Sequence, residues 1–194
     1  RSVFGKKADN IVARVDGVEV GTKSTSQTVP DSVTRRDNDF SATTNNKDKK
    51  KSYIDEDGTL TPANPDGDIT VQQHVRGADP AKGNSQYTST TAVDDVATTT
   101  PKDYGNNTIE IDTKRLQQDI DTGKVKNVEI IPPQRVQAEL QGNIDKAQVR
   151  YDANPSPDNS RKLKRAEQDL NNATRDNECL ISGCVPSDYI KGGQ

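Results

Sequence analysis

The sequence predicts an α+β domain, and three observations predict it. Short β-prone runs recur along the chain between turn-forming residues. Two amphipathic helical stripes stand back to back near the C-terminal end, split by a proline-rich break. The apolar content is thin: Val, Ile, Leu and Phe make up about 18% of the 194 residues, yet 27 Lys and Arg against 30 Asp and Glu leave a net charge of only −3. Disorder calls for low hydrophobicity together with high net charge. A single folded domain over 1–194, with a thin core and long polar loops, is the expectation that meets both facts.

The elements follow in chain order. Ile11, Val12 and Val15 make the run from Asn10 to Gly17 a short strand that Asp16-Gly17 ends, and alternation sets Ile11, Ala13 and Val15 on one face with Val12 and Arg14 on the other. From about 22 to 67 the chain is polar, with scarcely a large apolar residue beyond Val29, Val33, Phe40, Tyr53, Ile54 and Leu60, and reads as a long insertion. Ile69 to Val75 reads as a short strand leading to His74, Tyr87-Thr88-Ser89-Thr90-Thr91 as a further β run, and Thr108 to Ile111 as another. Asp112 or Thr113 caps a short helix carrying Leu116 and Ile120, with Gly123 as its stop. Lys126 to Ile131 is the next strand, closed by Pro132-Pro133.

Val136, Leu140, Ile144, Ala147 and Tyr151 then recur at steps of three and four, as do Leu163, Ala166, Leu170 and Ala173. Asn154-Pro155-Ser156-Pro157 separates the two stripes, so a helical hairpin over about 134–175 is expected, leaning on the sheet because each stripe is narrow and alanine-rich. Glu178 to Gly183 is a strand and turn, and Val185-Pro186 with Tyr189-Ile190 a last short strand. No internal repeat is present.

Several function classes fall away. No apolar run is long enough to span a bilayer, so no membrane partner is expected. The near-neutral charge offers no domain-wide cationic field for a dedicated DNA-binding module, although nucleic acid remains open as a substrate. The single histidine excludes multi-histidine metal sites, and Cys179 and Cys184 at C-x4-C spacing without histidine are no zinc pattern, so no metal is expected. The absence of methionine points to a C-terminal or processed piece of a longer protein, whose missing part would direct any export.

What chemistry remains rests on Arg14, His74, the Tyr87 to Thr91 run and Glu178. Taken in order, Arg14-Val15-Asp16, His74-Val75-Arg76-Gly77, Tyr87-Thr88-Ser89-Thr90-Thr91 and Glu178 ahead of Gly183-Cys184-Val185-Pro186 resemble the arginine–serine–glutamate, cholera-toxin-like class of mono-ADP-ribosyltransferases. That class is found in bacterial toxins and in C-terminal effector domains of polymorphic toxins. The resemblance implies a pair of roughly perpendicular antiparallel sheets forming an NAD+ cleft. It also implies transfer of ADP-ribose to a target-cell macromolecule, with protein arginine first and RNA second, and with nicotinamide released. A larger secreted toxin delivered into the target cell, and a cognate immunity protein covering the cleft, belong to the same expectation.

The roles it implies suit the residue types. Cleaving the nicotinamide–ribose bond builds positive charge on the sugar, which a close carboxylate stabilises; this falls to Glu178. A diphosphate asks for a planar, permanently charged bidentate donor, which falls to Arg14. Ser89 would position Glu178, His74 would donate to the adenosine ribose, Tyr87 would pack on a cofactor ring, and Thr90 would shape the strand at the cofactor. Asp176, standing where arginine-modifying relatives carry Glu, is assigned to acceptor recognition. Glu129 is the rival for the catalytic carboxylate, set aside because it runs into Pro-Pro and two helices. An NAD+ glycohydrolase and a non-enzymatic polar binding module are the competing functions.

Overall fold

The computed structural model describes residues 29–92 and 105–193. The strand expected from Asn10 to Gly17, and with it Arg14 and Asp16, lies outside the described residues. In chain order the elements are β1 (Val33–Asp37), β2 (Tyr53–Ile54), β3 (Leu60–Thr61), α1 (Val71–Arg76), a 3-10 turn (Ala81–Asn84), β4 (Tyr87–Ala92), β5 (Asn107–Ile111), α2 (Thr113–Asp121), β6 (Glu129–Ile131), α3 (Pro133–Ala153), α4 (Pro157–Arg175), β7 (Glu178–Ser182), a 3-10 turn (Ser187–Tyr189) and β8 (Ile190–Gly192). The α+β class is therefore met. Among the described residues the strands form one six-stranded antiparallel sheet in the order β8-β5-β1-β4-β7-β6 and a small β2-β3 ribbon.

Two expectations are corrected. Residues 29–67 are no mere insertion: they supply β1, near the middle of the sheet, and the ribbon. Val33 and Thr34 are β-branched and Val33 is fully buried, which suffices to seat a strand between two neighbours even in a polar stretch. The run before His74 is a helix, not a strand. Thr70 accepts from the Gln73 backbone while the Gln73 side chain accepts from the Thr70 backbone, a capping box, and Gly77 ends the turn at φ 75°. These end signals outweigh the extended preference of Val71 and Val75.

The β6, α3, α4 and β7 succession matches the sequence reading closely. Pro133 opens α3 and Ser156 caps α4 by accepting from the Asn159 N–H. Gly183 turns the chain after β7 at φ +92°, and a Cβ there would lie 2.2 Å from the Asn127 carbonyl oxygen, so only glycine fits.

Strand alternation sorts the core onto both faces of the sheet. On one, Val33, Ala92, Ile109, Ile111, Ile130, Cys179 and Ile181 pack with Phe40, Leu60, Leu116, Val185 and Tyr189. On the other, Ile131 and Leu180 meet Val71, Val136, Leu140 and Ala173 from the three helices α1, α3 and α4. Fully buried leucines such as Leu140 and Leu180 each contribute roughly 2 kcal/mol. The hairpin thus rests on the sheet through this second core.

The junction between the halves of the sheet is narrow. β1 pairs with β5 over five residues, Val33↔Ile111 to Asp37↔Asn107, but with β4 over only two, Val33↔Ala92 and Thr34↔Thr91. Beyond them the Arg35 Nη1 donates to the Ser89 carbonyl at 2.9 Å, so a side chain spans the distance where backbone pairing has stopped.

Candidate functional site

At this junction the sequence-predicted Ser89, His74, Tyr87 and Glu178 come together. β4 exposes alternate residues: Tyr87, Ser89 and Thr91 lie on the helical face, while Thr88 and Thr90 turn to the opposite core. Thr91 is the register partner of Glu178, so the first residue of β7 sits on the same face as Ser89. The Ser89 hydroxyl stands near enough to the Glu178 carboxyl to favour its ionised form. It also lies 2.7 Å from the His74 Nε2, and the His74 Nδ1 lies 2.6 Å from the Ser85 Oγ.

Lys82, from the 3-10 turn, completes the cluster. Its ammonium donates to the His74 carbonyl and approaches the His74 Nε2, both at 3.2 Å. An ammonium has only donors, so Nε2 is the accepting nitrogen, and the ring proton sits on Nδ1, facing Ser85. With Nε2 accepting, the Ser89 hydroxyl donates to the imidazole. Tyr87 meets the His74 ring edge-on, with centroids 5.6 Å apart.

The electrostatics follow from burial. Glu178 is 9% exposed, and desolvation raises its carboxyl above the ordinary carboxylate range; the Ser89 hydroxyl and the charges of Lys82 and Arg35 pull it back, while Asp176 adds to the rise. Desolvation first, then the Lys82 and Arg35 charges, hold His74 well below its usual value. Lys82 is brought down to about 8 by desolvation, with Arg35 adding to the fall and Glu178 opposing it.

These directions decide what Ser89 and His74 do. A serine nucleophile needs an imidazole that accepts its proton and a carboxylate that steadies the imidazolium. Here the orienting group is the neutral Ser85 hydroxyl, and two cations oppose imidazolium formation. Nothing in this arrangement activates Ser89 as a nucleophile.

The cation beside Ser89 and Glu178 is Arg35, a residue the sequence reading passed over in favour of Arg14. Its signal was present: a β-branched pair followed by Arg35-Arg36-Asp37 repeats the Arg-x-Asp pattern. Asp37 braces it from 3.8 Å and is itself held by Lys51 at 3.0 Å. Thr90 lies away from the cluster; it is buried, and its hydroxyl donates to the Cys179 carbonyl at 2.7 Å. Asp176 caps α4 and its carboxylate is gripped by Arg175 at 2.8 and 2.9 Å. Glu129 stands on the edge strand, exposed and paired with Arg135 at 3.2 Å. Cys179 and Cys184 are free thiols.

Among the described residues no group of three or more His, Cys, Asp and Glu is placed to hold a metal ion, and no helix is long and apolar enough to cross a membrane. Comparison with family models, curated proteins and solved structures gave no match.

Proposed function

We propose that this chain cleaves NAD+ and transfers its ADP-ribose to a macromolecule, with Arg35, Ser89 and Glu178 as the working residues. The observation that supports this most is the convergence of a guanidinium, a lysine and a carboxylate beside a serine where the two halves of the sheet part. Arg35 would grip the diphosphate, for which its planar fork is suited. Glu178, ionised, would stabilise the positive charge that grows on the ribose as nicotinamide leaves. Ser89 would fix that carboxylate, and His74, with both nitrogens engaged, would hold Ser89 rather than touch the adenosine ribose. Lys82 adds a second cation to the diphosphate end.

The test is NAD+ consumption with label transfer into a cell lysate. Wild-type chain should release nicotinamide and label a discrete acceptor, and Glu178→Gln should lose roughly a thousandfold in rate, on the order of 4 kcal/mol of transition-state stabilisation. Arg35→Lys should raise the KM for NAD+ more than it lowers kcat. Free ADP-ribose accumulating as fast as NAD+ disappears would replace transfer by hydrolysis. Absence of NAD+ binding in calorimetry would overturn both and leave a non-enzymatic module.

A further inference from the structure

The other face of α1 opens on a different feature. While His74 turns inward, Gln72 and Arg76 line a groove of about 880 Å³ shared with α3 and α4. Its lining carries seven Lys and Arg and a single acid, Asp158, in a chain whose overall charge is −3. Three of the cations are spoken for: Arg76 binds the buried Asp169 at 2.7 Å, and Arg161 and Lys162 share Asp158 at 3.1 and 3.0 Å. Lys146, Arg150, Lys164 and Arg165 are exposed and have no ion-pair partner among the described residues.

A cationic helix face is ordinarily just solvated. Here the charges converge on a concavity floored by the buried Ala147 and Ala166, and self-repulsion among them costs stability that a polyanion would return. A protein partner would want aromatic or large apolar anchors at the centre of its interface, whereas this lining contains none. Single-stranded nucleic acid is usually held by aromatic stacking platforms, which are also missing. What fits is recognition of backbone phosphates by guanidinium and ammonium groups, the polar and strongly cationic interface that nucleic-acid partners require.

We infer that this groove binds the phosphate backbone of a double-helical nucleic acid. α1 contributes Gln72 and Arg76 to the groove and His74 to the cluster, so groove and cluster share one helix. Any role of that nucleic acid as acceptor rests on the NAD+ reading; its binding does not.

The experiment is fluorescence anisotropy of the full chain with a labelled 20-base-pair RNA duplex, the DNA duplex of the same sequence, and each single strand, between 50 and 250 mM salt and without NAD+. If the four unpartnered cations each meet a phosphate, the log affinity should fall against log salt with a slope of about 3 to 4. Lys164→Glu with Arg165→Glu, both exposed, should weaken duplex binding by at least about 30-fold and cut the slope by about 2. Lys47→Glu with Lys114→Glu, equally exposed but away from the groove, should change affinity less than threefold. RNA and DNA bound alike point to phosphate alone, and RNA preferred points to the 2′-hydroxyls; both support the inference. Single strands bound better than duplexes, equal losses in the two double variants, or no duplex binding at 50 mM salt would overturn it. Because NAD+ is absent, failure here leaves the NAD+ reading standing, and failure of NAD+ cleavage leaves this one.

Discussion

Lys82→Met is the perturbation that most directly measures how the cluster is built. The buried ammonium of Lys82 is held near a pKa of about 8, against an ordinary 10.5, chiefly by desolvation. In the unfolded chain it keeps its proton up to the ordinary value, so between about pH 8 and 10.5 the unfolded state binds one proton more than the folded state. Wild-type stability therefore gains from Lys82 as pH rises through that window. The fall of the Lys82 pKa corresponds to about 3 kcal/mol. Below pH 8 the charged form is present in both states and the full desolvation cost remains. Methionine of similar length removes that cost but leaves the His74 carbonyl without its donor, a loss of about 1 to 2 kcal/mol. The net expectation at pH 7 is a variant more stable by about 1 to 2 kcal/mol, an advantage that erodes and then reverses toward pH 10.5. Urea unfolding of both proteins at half-unit pH steps, followed by far-UV circular dichroism, reads the difference directly. A wild-type-minus-variant difference that stays flat within 0.5 kcal/mol from pH 7.5 to 10.5, or that moves against the wild type, would refute the placement of Lys82 as a buried cation.

Ser89→Ala removes a hydroxyl that favours ionised Glu178, so its carboxyl should titrate higher, as read by the carbon-13 shift of its side chain, and the acid limb of NAD+ cleavage should move up with it; an unmoved titration would show that Ser89 does not hold the carboxylate. Arg76→Met strands the Asp169 carboxylate, 3% exposed, without its cation, and should cost about 3 to 5 kcal/mol in urea unfolding; a loss below 1 kcal/mol would mean the pair is not formed.

Much of the second half of the fold was legible because its signals are local and repeated. The α3 and α4 stripes carry apolar residues at helical spacing over about four and three turns, and the Pro and Ser signals at their starts agree with the pattern. β4 was legible as a β-prone run and β7 as a strand ending in a glycine turn, and their pairing carries Ser89 and Glu178 to one face. β1 was not, because two β-branched residues amid Arg, Asp and Ser give too short a pattern to outweigh a polar neighbourhood; what makes Val33 a strand residue is the pair of neighbours it finds in space. α1 was misjudged for a related reason: Val71 and Val75 favour extended chain, but the Thr70-Gln73 box and Gly77 fix both ends of a six-residue helix. Lys82 was invisible, since nothing in an Ala-Lys-Gly-Asn turn announces that its ammonium will reach a histidine eight residues back. Asp169 had a faint signal, a lone acid on the buried stripe of α4, whose partner Arg76 lies 93 residues away.

The two-rung seam between β1 and β4 has a mechanical consequence. Arg35 stands on one side of the seam, Ser89 and Glu178 on the other, with two backbone pairs and the core beneath joining the halves. A molecule clasped by both sets of charges would lie across the seam and supply cohesion that main-chain pairing leaves out. On the NAD+ reading, occupancy of the cluster would stiffen this junction.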